Sequence, residues 1–285
     1  MKKFLLSLLI IIFSFPVLAD DNKKESVFER VMRTGVIRCG YYVYPPATYL
    51  DPNTGVLSGL SVDTMNYIAE RASLKVEWSE EVTFGNWVPA LQAKRFDVVC
   101  TPMWPELPMA KAATFSDPMY FSGLYLAVRH DEKRFTKASG GMNRINQPDV
   151  TIVSQDGNIT SILAKSAFPN AKHYVLSPDS DTSQLVMSIV SKKADVQIAD
   201  DNAIKQWNDN NEKKVKIIKD FGPMKLQQYT FSVVRGEHDL LNFLNLAVHE
   251  INYNGEMDRL LRKWEPEPGK TYLRVAKPYK PYEEK

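Results

Sequence analysis

The sequence predicts an α/β fold of two similar lobes joined by a pair of strands, and three observations lead there. Apolar strand-like runs alternate with amphipathic helices, a helix–turn–strand segment is written twice, and two strand-like runs, "SGLYLAVRH" and "QQYTFSVVRG", hold no helix. Such alternation builds a parallel sheet covered by helices.

Residues 1–19, "MKKFLLSLLIIIFSFPVLA", place two lysines before an apolar run and end on Val17 and Ala19, the pattern of a secretory signal cleaved ahead of Asp20. The run is short for a bilayer crossing, which takes about 20 residues, and no cysteine follows it to carry a lipid anchor. The expected location is the periplasm.

Next, "VIRCGYYVY" reads as a strand that breaks at Pro45 and Pro46, with "DPNTG" as a turn. "SVDTMNYIAERA" repeats apolar residues at Val62, Met65, Ile68, Ala69 and Ala72, the spacing of one helix face. "KVEWSE" is a second strand. Asn86 is placed to cap the helix "WVPALQAK", which runs into the strand "FDVVC". The only cysteines, Cys39 and Cys100, end two of these strand-like runs. Neighbouring strands lie about 4.8 Å apart, within disulfide reach, and an oxidising compartment preserves such a bond. Two buried thiols that never meet are the equal alternative.

The repeat sets "NWVPALQAKRFDVVCTP" (86–102) beside "SQLVMSIVSKKADVQIAD" (183–200): an apolar-striped helix, two basic residues, then an aspartate opening a strand. The helix-free runs suit two crossings between lobes. The expected division is residues 20–122 with 228–264 for a discontinuous first lobe and 123–227 for the second. After the return come the helices "HDLLNFLNLAVHEI" and "EMDRLLRKW", separated by "NYNG". The proline- and charge-rich tail, 265–285, is expected to be a strap or disordered.

Charge narrows the function classes. The chain carries 36 basic and 34 acidic residues, and losing Lys2 and Lys3 with the signal balances them. No basic face points to nucleic acid. The four histidines are scattered without ligand spacing, so neither a metal nor another cofactor is expected.

The set "YPP", "GLSVD", "PALQAKRFDVV", "FSDPMY", the paired crossings and a closing "NG…RKW" resembles the periplasmic solute-binding proteins of the polar amino-acid-binding family, over about residues 30–265. The resemblance implies the type II periplasmic binding fold: two Rossmann-like lobes closing on a ligand about a two-strand hinge. It also implies a monomeric, non-enzymatic receptor for a small molecule that docks on an inner-membrane ABC transporter permease. Independently, ligands of open α/β sheets sit beyond the carboxyl ends of the strands, and clefts between lobes are natural small-molecule sites.

Relatives hold an amino-acid ligand with an arginine on its carboxylate and an acid on its ammonium. Counting back from "FSDP", the arginine position falls on Met109. The small hydroxyl positions before it fall on Thr101, Pro102 and Trp104, and only Thr101 keeps that chemistry. The second-lobe loop reads Gly157, Asn158, Ile159, and Asp200 stands where the ammonium-binding acid is expected. A carboxylate shut in a dry cleft without its cationic partner is worse off by about 3–5 kcal/mol. The remaining set, Tyr41, Tyr44, Phe84, Trp104, Met109 and Asp200, suits a cation, each ring face adding about 0.5–2 kcal/mol; Tyr41 and Tyr42 alternate along a strand, so only one of them faces the cleft. The plainer readings are that Asp200 caps the helix "AIKQW" and that Trp104 and Met109 fill a core. A scaffold with a degenerate pocket and a dehydratase-like enzyme are the alternative functions on this fold.

Overall fold

The structure is a computed structural model that describes residues 24–265, 267 and 271–275. The expected signal and much of the tail lie outside these residues. Helix α1 (Val27–Thr34) opens on a reciprocal cap, Ser26 Oγ accepting from Glu29 N and the Glu29 carboxylate from Ser26 N, and ends at Gly35 with φ 67°. Then come β1 (Val36–Tyr41), β2 (Tyr49–Leu50), β3 (Leu57–Ser58), α2 (Leu60–Arg71), β4 (Lys75–Glu81), α3 (Trp87–Gln92), β5 (Val98–Met103), β6 (Ala113–Phe115) and β7 (Tyr120–Arg129). The second half holds α4 (Met142–Ile145), β8 (Thr151–Gln155), α5 (Ile159–Ala167), β9 (Lys172–Leu176), α6 (Thr182–Val190), β10 (Val196–Asp200), α7 (Asp201–Asp209) and β11 (Val215–Ile218). Strand β12 (Lys225–Val234) returns, followed by α8 (His238–Tyr253), α9 (Glu256–Trp264) and β13 (Leu273–Arg274).

The strands line up as β4-β1-β5-β12-β7-β10-β8-β9. At each end the pairs are parallel, β1 with β4 and β5, β8 with β9 and β10. In the middle β7 and β12 run antiparallel, from Tyr120 opposite Tyr229 to Leu124 opposite Lys225. These are the two helix-free runs, and each continues into one half of the sheet: β12 pairs with β5 and β6, β7 with β10 and β11. Gly123 lies on this crossing beneath Tyr125, where an added Cβ would stand 2.5 Å from the tyrosine ring.

Each half repeats one clasp. After α3 and after α6 a lysine adopts a left-handed turn, Lys94 with φ 56° and Lys192 with φ 62°. The aspartate that follows then bonds the next strand twice. Asp97 accepts from Arg38 N at 2.7 Å while its own N–H donates to Arg38 O at 2.9 Å. Asp195 accepts from Thr151 N at 3.0 Å and donates to Thr151 O at 2.8 Å. Arginines neutralise both acids, Arg30 and Arg38 on Asp97, Arg129 and Arg134 on Asp195.

Two local expectations need revision or resolution. Asn86 stands at the N-terminus of α3 without capping it, because its Oδ1 accepts from Thr83 N at 2.8 Å. The cysteines do meet: Cys39 on β1 and Cys100 on β5 form a disulfide with Cα atoms 5.4 Å apart, wholly buried in the first-half core beside Ile37, Val98 and Phe231.

Replacing Asp97 by Ala leaves two part-buried arginines and the Arg38 N–H without their carboxylate and is expected to cost about 2–3 kcal/mol of unfolding free energy, read from the urea midpoint. Replacing both cysteines by Ser frees a loop spanning 61 residues of sequence separation. It is expected to cost about 2–4 kcal/mol, seen as a loss that dithiothreitol produces in the parent chain and not in the variant.

Candidate functional site

Strand β10 ends on Asp200, which is 2% exposed and caps α7. Its Oδ1 accepts from Asn202 N at 2.8 Å, the ordinary cap of a helix start. Its Oδ2 is held from another direction. The Tyr229 hydroxyl of β12 donates to it at 2.6 Å, and the Ser122 hydroxyl of β7 donates to it as well. One hydroxyl therefore comes from each crossing strand. Burial pushes the Asp200 carboxyl above the usual aspartate range, and the three donors pull it back only in part.

Around this carboxylate the rings form a packed set. Tyr120 stacks on Tyr229 with centroids 4.5 Å apart, and Trp104 meets Tyr229 and Tyr44 edge-on at 6.1 and 6.3 Å. Tyr272, from the tail, packs on Tyr120 at 4.9 Å and on Tyr229 at 6.2 Å. Its neighbours Leu273 and Arg274 add β13 to β7 beside Tyr120 and Phe121, so this part of the tail is a strap over the crossing. Edge and stacked ring pairs contribute about 0.5–1.5 kcal/mol each beyond burial. The hydroxyls of Tyr44, Tyr120 and Tyr229 are held well above their usual range, first by burial and then by the Asp200 charge. That mutual effect places all three rings in the field of one acid. Trp104 packs against the cores of both halves and closes the seam between them.

Tyr44, Trp104 and Asp200 are thus brought together. Three expected box residues stand elsewhere. Tyr41 points outward on β1 and meets Trp78 edge-on at 5.9 Å. Side chains alternate along the chain, so Tyr42 takes the inner place, its ring on Tyr44 and its hydroxyl donating to Pro102 O at 2.8 Å. Phe84 and Met109 pack on the core of Val82, Trp87, Leu91 and Met103. Met109 opens a 3-10 turn there, and Phe84 also faces Gly157, where an added Cβ would lie 3.8 Å from its ring. Thr101 is wholly buried, and its hydroxyl is committed to the scaffold, between Thr48 Oγ1 at 2.8 Å and the Tyr42 carbonyl at 3.1 Å. Asn158 caps α5 through Thr160 N at 3.0 Å, and Ile159 N donates at 3.0 Å to Glu106 of the opposite half.

Ser122, Tyr229, Tyr120, Tyr272 and Glu106 were not singled out by sequence. "FSDPMYFS" and "QQYTF" mark the crossings without saying that their hydroxyls converge on Asp200. A cavity of about 480 Å³ reaches Ser122 and Asp200 from the side of α7 and β11, lined also by Asn202 and Lys216. The rings of Tyr44, Trp104 and Tyr229 do not line it, so the ring set and the cavity lie on different sides of one carboxylate.

The family model described as bacterial extracellular solute-binding proteins, family 3, matches residues 37–267. The chain is 25% identical over 277 residues to the L-cystine-binding protein TcyA of Bacillus subtilis (strain 168), covering 93% of this chain and 97% of that protein. It is 23% identical over 271 residues to a probable histidine-binding protein of Campylobacter jejuni subsp. jejuni, covering 94% of this chain and 100% of that one. Among solved structures it is similar to the ancestral amino acid-binding protein AncCDT-1, described as a precursor of cyclohexadienyl dehydratase. The TM-score is 0.71 at 26% identity, with 84% of this chain and 99% of that chain covered. Two sheet halves with two crossing strands are the type II periplasmic binding fold.

Tyr229→Phe removes one donor from a buried carboxylate and is expected to cost about 1.5–3 kcal/mol at neutral pH. The lost bond favours the charged form, so its removal raises the carboxyl pKa further. The deficit is then largest at high pH and shrinks as pH falls through the raised value, which urea titrations across the acid range will read.

Proposed function

This chain belongs to the bacterial extracellular solute-binding proteins, family 3, and from that premise we propose that it is the periplasmic receptor of an ABC importer for a small amino-acid-like or amine-bearing solute. Residues 20–122 with 228–264 and residues 123–227 are the lobes that close on it, β7 and β12 are the hinge, and a membrane permease receives the closed form. The relatives named for cystine and histidine both take amine-bearing ligands, and members of this family capture solutes without turning them over.

The observation that carries the reading is Asp200. It is buried, held by neutral donors and, among the described residues, in no ion pair. An ammonium group that reaches Asp200 from the cavity side replaces such neutral donors with a full countercharge. In this role Asp200 binds the solute, Tyr44 and Trp104 back the carboxylate from its other side, and Thr101 and Asn158 hold the two rims in shape.

A thermal-shift panel of amino acids, diamines, quaternary amines and sugars tests this. An amine-bearing solute at a hundred times its dissociation constant is expected to stabilise the chain by about 2.7 kcal/mol. Asp200→Asn is expected to weaken that solute by about a hundredfold or more, the consequence of leaving one buried charge unpaired. A sugar hit with no amine hit, or an amine hit that ignores Asp200→Asn, would contradict it.

A further inference from the structure

We infer that Glu106 is the specificity-determining residue of the cleft: its carboxylate, reaching from the first half of the molecule, fills the anion seat at the start of α5 and so restricts the site to amines that carry no carboxylate. This rests on the reading that Asp200 receives an amine, and it adds the chemistry of the rest of the ligand.

Glu106 lies on the loop between β5 and β6, two residues beyond Trp104. Although it is a charged residue it is only 7% exposed. Its backbone carbonyl is tied down by Met109 N and Ala110 N, both at 3.1 Å, which anchors the residue on its loop. Its Oε1 accepts from Ile159 N, the first helical residue of α5, at 3.0 Å.

The start of a helix offers unpaired N–H groups and the positive end of the helix dipole, and both attract an anion. Helix α5 has no acidic residue of its own in the first turn. Asn158 Oδ1 takes the N–H of Thr160, and the Asn158 carbonyl takes that of Ser161. The remaining donor, Ile159 N, is taken by Glu106. The seat is full, and what fills it crosses from the other half of the molecule.

A ligand carboxylate arriving here would meet a fixed negative charge, with the N–H groups of Ile159, Thr160 and Ser161 already taken. Among the described residues Glu106 is in no ion pair. The cation whose charge reaches it is Lys225, as a weaker influence than its own burial and its bond to Ile159. Met109, three residues on, is packed in the first-half core and brings no charge. An amine without a carboxylate places its cation against Asp200 and leaves the Glu106–Ile159 bond intact. An amino acid must break that bond.

The test compares pairs that differ by one carboxylate: cadaverine against lysine, agmatine against arginine, histamine against histidine. Calorimetry on the full chain is expected to favour the amine of a pair by about ten- to a hundredfold. Glu106→Ala is expected to reduce that preference by a similar factor, and Glu106→Gln, which keeps the bond acceptor but not the charge, by less. A second readout does not depend on the amine. Sodium acetate, against sodium chloride at equal ionic strength, is expected to raise the melting temperature of Glu106→Ala and not of the parent, because the vacated Ile159 N–H accepts an anion. An unchanged amine-to-amino-acid ratio in Glu106→Ala, or an acetate response identical in parent and variant, overturns the inference. If no amine binds but the acetate difference stands, the filled seat survives and the receptor reading of Asp200 falls.

Discussion

A carboxylate removed from water must be held by donors or balanced by a cation, and among the described residues Asp200 has the first without the second. An ionised group so placed costs several kcal/mol unless its lone pairs are satisfied. Three donors do this, one from the backbone of its own helix and one hydroxyl from each crossing strand. Both strands must therefore stay in register for the acid to stay buried. The stacked Tyr120–Tyr229 pair and the Tyr272 strap hold that register from outside. The hinge and the acid are in this sense one structure, and a cation on Asp200 would act on the strands by which the two halves are joined.

The halves themselves are stiffened by means that leave the seam alone. Asp97 and Asp195 each pin a helix-to-strand turn to the neighbouring strand, and the disulfide ties β1 to β5 inside the first half. Across the seam the bonds are few and polar. Thr83 Oγ1 donates to Asp179 at 2.7 Å, and Ile159 N donates to Glu106. Polar bonds of this kind exchange readily with water, whereas a buried core cannot be opened without losing its apolar contacts. Among the described residues these two bonds across the seam each end on a carboxylate, Asp179 and Glu106.

Much of the architecture was legible because it is local and repeated. The helix–turn–strand segment appears twice in sequence and twice in space, down to the left-handed lysine before each aspartate. The helix-free runs were readable as crossings because nothing in them alternates with a helix. The cysteine pairing needed the strand order, since only that order sets β1 beside β5. At the site, Tyr44, Trp104 and Asp200 stand in short motifs with fixed neighbours. Tyr41 gave way to Tyr42 because one residue of register turns a side chain to the other face. Phe84 and Met109 satisfy a core before they serve a cleft, and periodicity does not separate the two uses. Tyr229, Tyr272 and Glu106 act on partners 29, 152 and 53 residues away, which local pattern cannot reach.

The claim on which this account stands is that a cation takes the place of the neutral donors on the buried acid and so favours its charged form. Calorimetry of cadaverine binding in buffers of differing ionisation enthalpy, at a pH low enough to protonate part of Asp200, measures that effect directly. Cadaverine stays fully charged there, so any proton released comes from the protein. The account predicts net proton release on binding that vanishes as pH rises above the carboxyl pKa and is absent in Asp200→Asn. Binding heats that are independent of the buffer throughout the acid range, or proton release that persists undiminished in Asp200→Asn, would contradict it.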